Sequence, residues 1–237
     1  MKKAHIVYAH PEPQSFVNAM VDRARAALQQ AGWQVSISDL YAKGFNPVAS
    51  AEDFRDRRDP GHLVYSLEQR HGWSSGTLAS DIVEEVEAVL AADLLVLAFP
   101  VFWFSMPAMM KGWIDRVFLS GTFYGGRRVY DRAGMAGKRA LVLTSLGGRE
   151  HMFGKDAIHG ELSMGMLRHL LQGTLGYVGY QVYEPFIAYH VPYVTAEARA
   201  QVLDALDAQV GSLEGRRILR FPSLDAFDEF FRPLPDV

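Results

Sequence analysis

Three short segments of the chain carry residue types that suit the binding of a nucleotide. The segment 10–16 contains His10 and Ser15, and serine is a residue type that favours the start of a helix. A helix N-terminus leaves amide hydrogens free and carries a partial positive charge, so this segment predicts a phosphate site. The segment 101–104 contains three consecutive aromatic residues, and the segment 145–148 ends in two glycines, where a ligand can approach the backbone closely.

A nucleotide with a flat ring would use all three segments, and a flavin fits them best. Aromatic side chains stack on flat rings, and a helix N-terminus suits a diphosphate. Two plainer interpretations stay open at this point. The aromatic residues could be ordinary core, and His10 could serve only as a hydrogen-bonding residue at the entry of a helix. Trp113, on the following predicted helix, is expected in the core.

Each of the three segments follows a predicted β-strand, which decides where the segment lies in the fold. Apolar, β-rich runs at 4–9, 94–99 and 139–146 precede them, and further strands are predicted at 34–39 and 181–189. Helical patterns alternate with these strands, which predicts an α/β fold with a doubly wound, five-stranded parallel sheet and helices on both faces. Ligands bind at the carboxyl ends of the strands in such sheets. The three segments are therefore expected to form one site.

Residue types at the helix starts support this alternation. Ser15 and Ser80 are expected as N-caps, and Pro107 is expected at the first position of the helix after the aromatic residues. Thr195 is expected to start the last amphipathic helix, and apolar content predicts a further helix over 161–177.

The chain is predicted to form one domain, residues 1–214, followed by a tail, residues 215–237. The segment 42–79 is polar, contains glycine and proline and lacks clear periodicity, which predicts a long excursion from the domain. The tail is too apolar to be fully solvated and is expected to pack on the domain or on a partner subunit. Its large apolar residues are Ile218, Leu219, Phe221, Leu224, Phe227, Phe230 and Phe231.

The composition argues against several classes of protein. The absence of cysteine excludes disulfides, thiolate metal sites and cysteine nucleophiles, and no metal site is predicted. A net charge of −3 does not favour nucleic acid or an acidic membrane as a partner. The uncharged stretch 94–110 is interrupted by two prolines and is shorter than the ~20 residues of a membrane helix, so membrane insertion is not expected. The N-terminus does not resemble a signal peptide, and a cytoplasmic location is expected.

Common nucleotide and hydrolase motifs are also missing. The chain has no G-x-x-x-x-G-K-[ST] phosphate loop, no G-x-G-x-x-G after its first strand and no G-x-S-x-G elbow. His10 stands where a receiver domain would want an aspartate. The candidate site is therefore limited to the three segments described above.

The residues resemble the dimeric NAD(P)H:quinone oxidoreductases of the flavodoxin-like fold, the DT-diaphorase type. The resemblance rests on AHPEPQSF, DLYAKGFNP, FPVFWFSMPAMMKGWIDRVF, TSLGG and AIHGE, which follow one another in collinear order within residues 3–213. The pattern FPxxWFxxPAxxKGWxxRVF is specific because of its length. The resemblance implies tightly bound FAD, NAD(P)H as co-substrate, a homodimer, and two-electron reduction of quinones by ping-pong hydride transfer.

The resemblance also implies roles for single residues. His10, Phe16 and Val17 would hold the diphosphate end of FAD, with Arg199 near the phosphates. The segments 101–104 and 145–148 would line the isoalloxazine ring through backbone amides. The complete set of expected cofactor contacts is His10, Phe16, Val17, Val101, Phe102, Trp103, Phe104, Ser145, Leu146, Gly147, Gly148 and Arg199.

Three positions are expected to take part in catalysis. His159 would lie by the pyrimidine edge of the flavin and supply a hydrogen bond or a proton there. Tyr124 of the partner subunit would cover a pocket walled by Trp103 and Phe104. Phe153 stands where the family commonly has a tyrosine that partners the histidine, so a hydroxyl relay is lost.

Two further departures from the family pattern concern the same pocket. Gly126 replaces a second tyrosine of the covering loop and is followed by two arginines, and Val17 stands where family members carry asparagine. Two other functions therefore stay open. One is a flavin reductase for azo or nitro aromatic compounds, and the other is a flavin-binding regulatory subunit that docks on a membrane transporter through the apolar tail.

Overall fold

Six parallel strands form the sheet at the centre of the computed structural model, which describes residues 1–235. The strands are β1 (Lys3–Tyr8), β2 (Gln34–Asp39), β3 (Leu94–Pro100), β4 (Arg139–Ser145), β5 (Gln181–Val182) and β6 (Phe186–Ala188). Their order is β2-β1-β3-β4-β5, and β6 also pairs with β4. Every pair is parallel, and the order is that of flavodoxin-like sheets. The predicted α/β class is confirmed.

The prediction of a single fifth strand over 181–189 is wrong, because the structure divides this segment into β5 and β6. Pro185 lies between the two strands and has no amide hydrogen to donate to a neighbouring strand. Tyr183 instead forms an antiparallel bridge with Ile218 of the tail. The sheet consequently has six strands rather than the predicted five.

Within residues 1–235, six α-helical segments accompany the sheet. They are α1 (Phe16–Gln30), α2 (Tyr65–Ser75), α3 (Ser80–Ala91), α4 (Ala108–Val117), α5 (Arg168–Leu170) and α6 (Ala196–Gly211). The caps of α1 and α6 are as predicted. The side-chain oxygens of Ser15 and Thr195 each accept a hydrogen bond, at 3.2 Å, from the backbone amide of the residue three positions later. Two starts differ by one position. Ser80 is the first helical residue after Ala79 rather than the cap, and Pro107 precedes α4 rather than opening it.

The segment 161–177, predicted as one helix, is irregular. The single α-turn α5 lies between two π-helical turns, Leu162–Met166 and Leu171–Gly176. Glycines weaken regular helix here, and Gly176 also has a packing reason to be glycine. A Cβ atom at that position would lie 2.6 Å from the ring of Phe221 in the tail.

Two apolar cores lie on opposite faces of the sheet, and β3 contributes to both. Leu95 and Leu97 face the core that contains residues of α3 and α4, whereas Val96 and Ala98 face the core that contains residues of α1 and α6. Successive side chains of a strand point to opposite faces, so a strand covered on both sides must be apolar throughout. This explains the uninterrupted apolar run at 94–99.

The excursion 42–79 is tied to the domain by buried Arg116 of α4. The Arg116 guanidinium donates to Asp53 Oδ1 at 2.8 Å and to Asp81 Oδ2 at 2.6 Å. The Tyr65 hydroxyl donates to the second oxygen of Asp53 at 2.5 Å. The excursion contains α2, which the sequence analysis did not predict because its apolar spacing is weak. The polar network around Arg116 accounts for the fixed position of the excursion.

The tail packs against the chain that carries it. Leu219 N donates to Val182 O at 2.8 Å, and Leu224 N donates to Asp131 Oδ1 at 3.1 Å. Arg127 Nη1 donates to the carbonyl oxygen of Asp228 at 2.6 Å. The last two residues of the predicted tail, 236 and 237, lie outside the described residues. Within residues 1–235, no helix combines the length and the apolar character needed to cross a bilayer.

Candidate active site

A groove of about 590 Å³ lies across the carboxyl ends of β1, β3 and β4. Nine of the twelve residues predicted to contact a cofactor line this groove. They are His10, Phe16, Val17, Val101, Phe102, Ser145, Leu146, Gly147 and Arg199. Of the other three, Trp103 and Gly148 directly follow the lining residues Phe102 and Gly147, and Phe104 lies two positions after Phe102. The structure thus brings the three segments together, as the strand order requires.

One end of the groove is shaped for an anion. The cap formed by Ser15 leaves the amides of Phe16 and Val17 without an acceptor among residues 1–235. His10 Nδ1 accepts the amide hydrogen of Glu12 at 3.0 Å, so the ring proton of the neutral imidazole resides on Nε2. The His10 ring can therefore donate a hydrogen bond from its other side. Free helix amides together with an imidazole donor suit a phosphate.

Val17 contributes to this end through its backbone, because its side chain is buried in the core below the groove. The amide side chain of the next residue, Asn18, donates to Pro13 O at 2.7 Å. Asn18 therefore lies one position after Val17, which is where the family pattern has asparagine. The side-chain amide of Asn18 holds the loop that precedes α1.

Arg199 adds a positive charge from a second helix. It lies in the first turn of α6 and lines the same groove. No acidic side chain among the described residues lies within ion-pair distance of its guanidinium, although Glu12 also lines the groove. A cation near a helix N-terminus is opposed by the helix dipole. A bound anion would offset that cost.

The aromatic segment forms a tight turn with an uncommon backbone. Phe102 and Ser105 exchange two backbone hydrogen bonds, of 2.9 and 3.0 Å, across Trp103 and Phe104. The φ angles of Trp103 and Phe104 are 51° and 59°, in the left-handed region that bulky residues rarely adopt. Strained residues of this kind cluster at ligand sites. Trp103 is 95% exposed, which excludes the core interpretation for this residue.

His159 and Phe153, two of the three predicted catalytic positions, meet beside this turn. The ring centroid of His159 lies 5.3 Å from that of Phe104 and 5.2 Å from that of Phe153. No hydrogen bond or ion pair reaches the imidazole of His159 from the part of the chain that the structure describes. Its ring nitrogens are therefore available to a ligand. Phe153 offers only an aromatic surface, and a Cβ atom on Gly148 would lie 2.8 Å from its ring.

Tyr124, the third predicted catalytic position, does not reach the groove of its own chain. It lines a separate cavity of about 610 Å³, where its ring centroid lies 5.5 Å from that of Tyr177. Burial together with the neighbouring Tyr124 and Tyr130 hydroxyls raises the pKa of Tyr177. On a single chain, the structure brings two of the three predicted catalytic positions together and leaves the third apart.

Sequence reasoning missed His190, which contacts the glycine pair. Its Nδ1 lies 2.8 Å from Gly147 O, and its amide donates to Gly148 O at 2.9 Å. Its φ of 57° is again left-handed. No motif marks this position, because a left-handed backbone at a residue other than glycine leaves no signature in the sequence.

The groove fits a flavin nucleotide on three observations. Unpaired amides and Arg199 suit the phosphates, the strained turn presents aromatic rings for a flat ligand, and Gly148 has no room for a side chain. The residues present could therefore hold a flavin with its ring toward Phe104 and its phosphates toward α1. Across residues 1–235, no cluster of three or more histidine, aspartate or glutamate side chains is placed to hold a metal ion.

Comparisons with known proteins agree with this geometry. The family model described as flavodoxin-like fold matches residues 2–210. NAD(P)H dehydrogenase [quinone] 1 of Cavia porcellus is 35% identical over 233 residues, which cover 98% of this chain and 84% of that protein. Ribosyldihydronicotinamide dehydrogenase [quinone] of Homo sapiens is 36% identical over 205 residues, which cover 86% of this chain and 88% of that protein.

A solved structure is also similar to the whole molecule. A proposed quinone reductase from Klebsiella pneumoniae superposes with a TM-score of 0.87 at 33% sequence identity, covering 94% of this chain and 88% of that one. The match thus extends from the sequence to the arrangement of strands and helices that forms the groove. The chain belongs to the flavodoxin-like family, among the NAD(P)H quinone reductases.

Proposed function

We propose that this protein is an NAD(P)H:quinone oxidoreductase that binds FAD tightly and works as a homodimer by a ping-pong mechanism. The observation that carries the proposal is the single groove that joins an anion-binding end to an aromatic end. The similarity to NAD(P)H dehydrogenase [quinone] 1 supports the same reaction.

The two helix N-termini favour FAD over FMN. The free amides of α1 and the guanidinium of Arg199 on α6 lie along the same groove. A single phosphate would need only the first of these features. A diphosphate, which FAD has and FMN lacks, can engage both. The carboxylate of Glu12 in the same wall would repel a phosphate, so hydroxyl groups rather than phosphate oxygens are expected beside it.

A bound flavin would supply the redox chemistry, taking a hydride from NAD(P)H and passing two electrons to a quinone. The chain would supply orientation and protons. Trp103 and Phe104 would hold flat substrates and exclude water, and the His159 imidazole would donate a hydrogen bond or hold a proton at a ring nitrogen. Because one aromatic wall serves both substrates, NAD(P)H and quinone would occupy it in turn.

A homodimer would complete the site. Tyr124 and Tyr177 line a second cavity that shares no lining residue with the groove. Trp103 exposes almost its whole side chain beside the part-exposed rings of Phe102 and Phe104, and a contiguous exposed apolar patch of this kind marks a surface for a ligand or a partner protein. We therefore propose that Tyr124 of the partner subunit closes the groove near Trp103.

The first test is the visible spectrum of the purified protein during anaerobic addition of NADH and then of a quinone. We expect the flavin absorption to bleach with NADH and to return with the quinone, and chromatography of the released cofactor to identify FAD. Release of FMN would contradict the FAD assignment. A protein that stays colourless after incubation with FAD would contradict the whole proposal.

A substrate panel separates the proposed reaction from the alternatives. We expect higher kcat/KM for benzoquinones and naphthoquinones than for azo dyes or nitroaromatic compounds. The reverse order would identify a reductase of azo or nitro compounds. Bound FAD without turnover of any acceptor would instead favour a regulatory role.

A further inference from the structure

The segment 188–191 runs alongside the glycine segment and holds its carbonyl groups on one side. Val191 N donates to Leu146 O at 3.2 Å, and His190 N donates to Gly148 O at 2.9 Å. Between these two bonds, His190 Nδ1 lies 2.8 Å from Gly147 O. A carbonyl oxygen can only accept, so Nδ1 carries the proton of this bond. Three successive carbonyls thus face the same segment, which leaves β6 and turns at His190.

This arrangement determines where the amides point. In a trans peptide unit the C=O and the following N–H point in opposite directions. The carbonyls of Leu146 and Gly147 face the segment 188–191, so the amides of Gly147 and Gly148 point away from it. Neither amide has an acceptor among residues 1–235. Successive free amides on one side of a bend form a concave site for negative charge, and Gly147 lines the groove.

The backbone of His190 is costly in itself, which indicates that the bonds to the glycine carbonyls hold it in place. Its φ of 57° is uncommon for a residue with a Cβ atom. The imidazole is not among the side chains that line the groove, and its ring centroid lies 5.0 Å from that of Tyr193. The residue therefore acts on the groove only through the peptide units that it contacts.

We propose that His190 is a positioning residue whose Nδ1–H orients the Gly147 and Gly148 amides as donors to the bound flavin. The inference rests on the proposed function, because it assumes that a flavin occupies the groove. Two donors held toward a flat, electron-accepting ring favour its more negatively charged, reduced form. Loss of the His190 side-chain bond should therefore weaken flavin binding and make the midpoint potential more negative.

Three substitutions at one position separate the side-chain bond from the backbone shape. His190→Asn keeps a nitrogen donor on Cγ, where histidine has Nδ1, and asparagine tolerates a left-handed backbone. His190→Asp has the same shape but places an oxygen against Gly147 O. His190→Gly accepts the left-handed φ and has no side chain. All three are compatible with the fold, which circular dichroism and thermal unfolding would check.

The measurements are the dissociation constant of FAD from the apoprotein and the midpoint potential of the bound flavin. We expect His190→Asn to match wild type in both. We expect His190→Asp and His190→Gly to bind FAD about tenfold more weakly and to shift the potential to more negative values. A merely structural role would change thermal stability without moving the potential of the flavin that remains bound.

The outcomes distinguish this inference from the proposed function. If wild type binds FAD and reduces quinones but all three variants share its potential and affinity, the positioning role is wrong and the proposed function stands. A loss in His190→Asn equal to that in His190→Gly would also contradict the role of the Nδ1 donor. If wild type binds no flavin, both proposals are wrong.

Discussion

The indole nitrogen of Trp113 donates a hydrogen bond to Glu85 Oε2 at 2.8 Å, and both side chains are buried. Ser38 Oγ and Lys43 Nζ donate to the other oxygen, Glu85 Oε1, at 2.7 and 2.5 Å. Trp113 is thus a core residue, as its position on α4 predicts, but it is also a partner of a buried charge. On α3, Ile82, Val86 and Val89 occupy the i, i+4 and i+7 positions of a buried helix face, and Glu85 occupies the i+3 position of the same face.

This carboxylate makes stability depend on pH. Burial raises the pKa of Glu85, but the donors around it, including the nearby ring of His5, lower it to about 2 from an ordinary 4.5. A lowered folded-state pKa stabilises the fold fully above the unfolded value and less as pH falls toward the folded value. We expect roughly 3 kcal/mol of unfolding free energy to be lost between pH 4.5 and 2. Urea unfolding at a series of pH values measures this loss, and the same series on Glu85→Gln should be flatter.

Gly112 of α4 is required by close packing against the excursion. A Cβ atom there would lie 2.0 Å from Pro47 O, which is too close for any side chain. We expect Gly112→Ala to reduce the unfolding free energy by about 2 kcal/mol or more. Gly173→Ala is the control, since the nearest atom to its Cβ would be 3.9 Å away. Denaturant titration should place this control within about 1 kcal/mol of wild type.

Arg199→Ala should weaken the binding of FAD about tenfold, because one charge-assisted contact to phosphate is lost. Riboflavin has no phosphate, so its affinity should not change. Fluorescence titration of the apoprotein with both compounds measures the two effects. Arg217→Ala, on a side chain that is 73% exposed, should leave both affinities unchanged. An equal loss for riboflavin would mean that Arg199 supports the ring and not the phosphates.

His159→Gln should slow flavin reduction by NADH about 10- to 100-fold while FAD stays bound, since glutamine cannot hold a proton as imidazole does. Anaerobic stopped-flow absorbance measures the rate, and the spectrum at rest reports the bound cofactor. His151→Gln, an exposed histidine in the same connection, is the matched control. Unchanged reduction kinetics in His159→Gln would remove this residue from the mechanism.

A mixed dimer tests whether Tyr124 acts across the subunit boundary. In a dimer of one Tyr124→Ala subunit and one His159→Gln subunit, a site built from both chains leaves one of the two sites intact. We expect such mixed dimers, purified with two affinity tags, to recover about half of the wild-type activity. If Tyr124 acts on its own chain, every site carries one lesion, and the mixed dimer should be no more active than the two parents.

Much of this fold could be predicted because its signals are local. The caps at Ser15 and Thr195 and the apolar strand at 94–99 follow from residue types within a few positions of each other. The convergence of three loops at one edge then follows from the rules of parallel sheets. The location of the groove could therefore be predicted from the sequence, whereas its shape could not.

The remaining features depend on residues distant in sequence. The left-handed turn at Trp103 and Phe104 opposes the preference of both residue types, so no pattern predicts it. His190 contacts the glycine pair only because the folded chain brings the segment 188–191 against it. The break at Pro185 was visible, but its consequence was not, because the tail that bonds to the freed backbone lies more than thirty residues away.

The pairing of the tail with the last strands also covers backbone groups at one edge of the sheet. The β5 side is an edge of the sheet, and edges with unpaired backbone groups recruit other chains. Here Tyr183 pairs with Ile218, and Glu184 N donates to Arg217 O at 2.9 Å. The tail thus covers this edge of the sheet. A chain that stopped before residue 216 would leave these backbone groups unpaired, and strands of other chains could add to them and start a fibril.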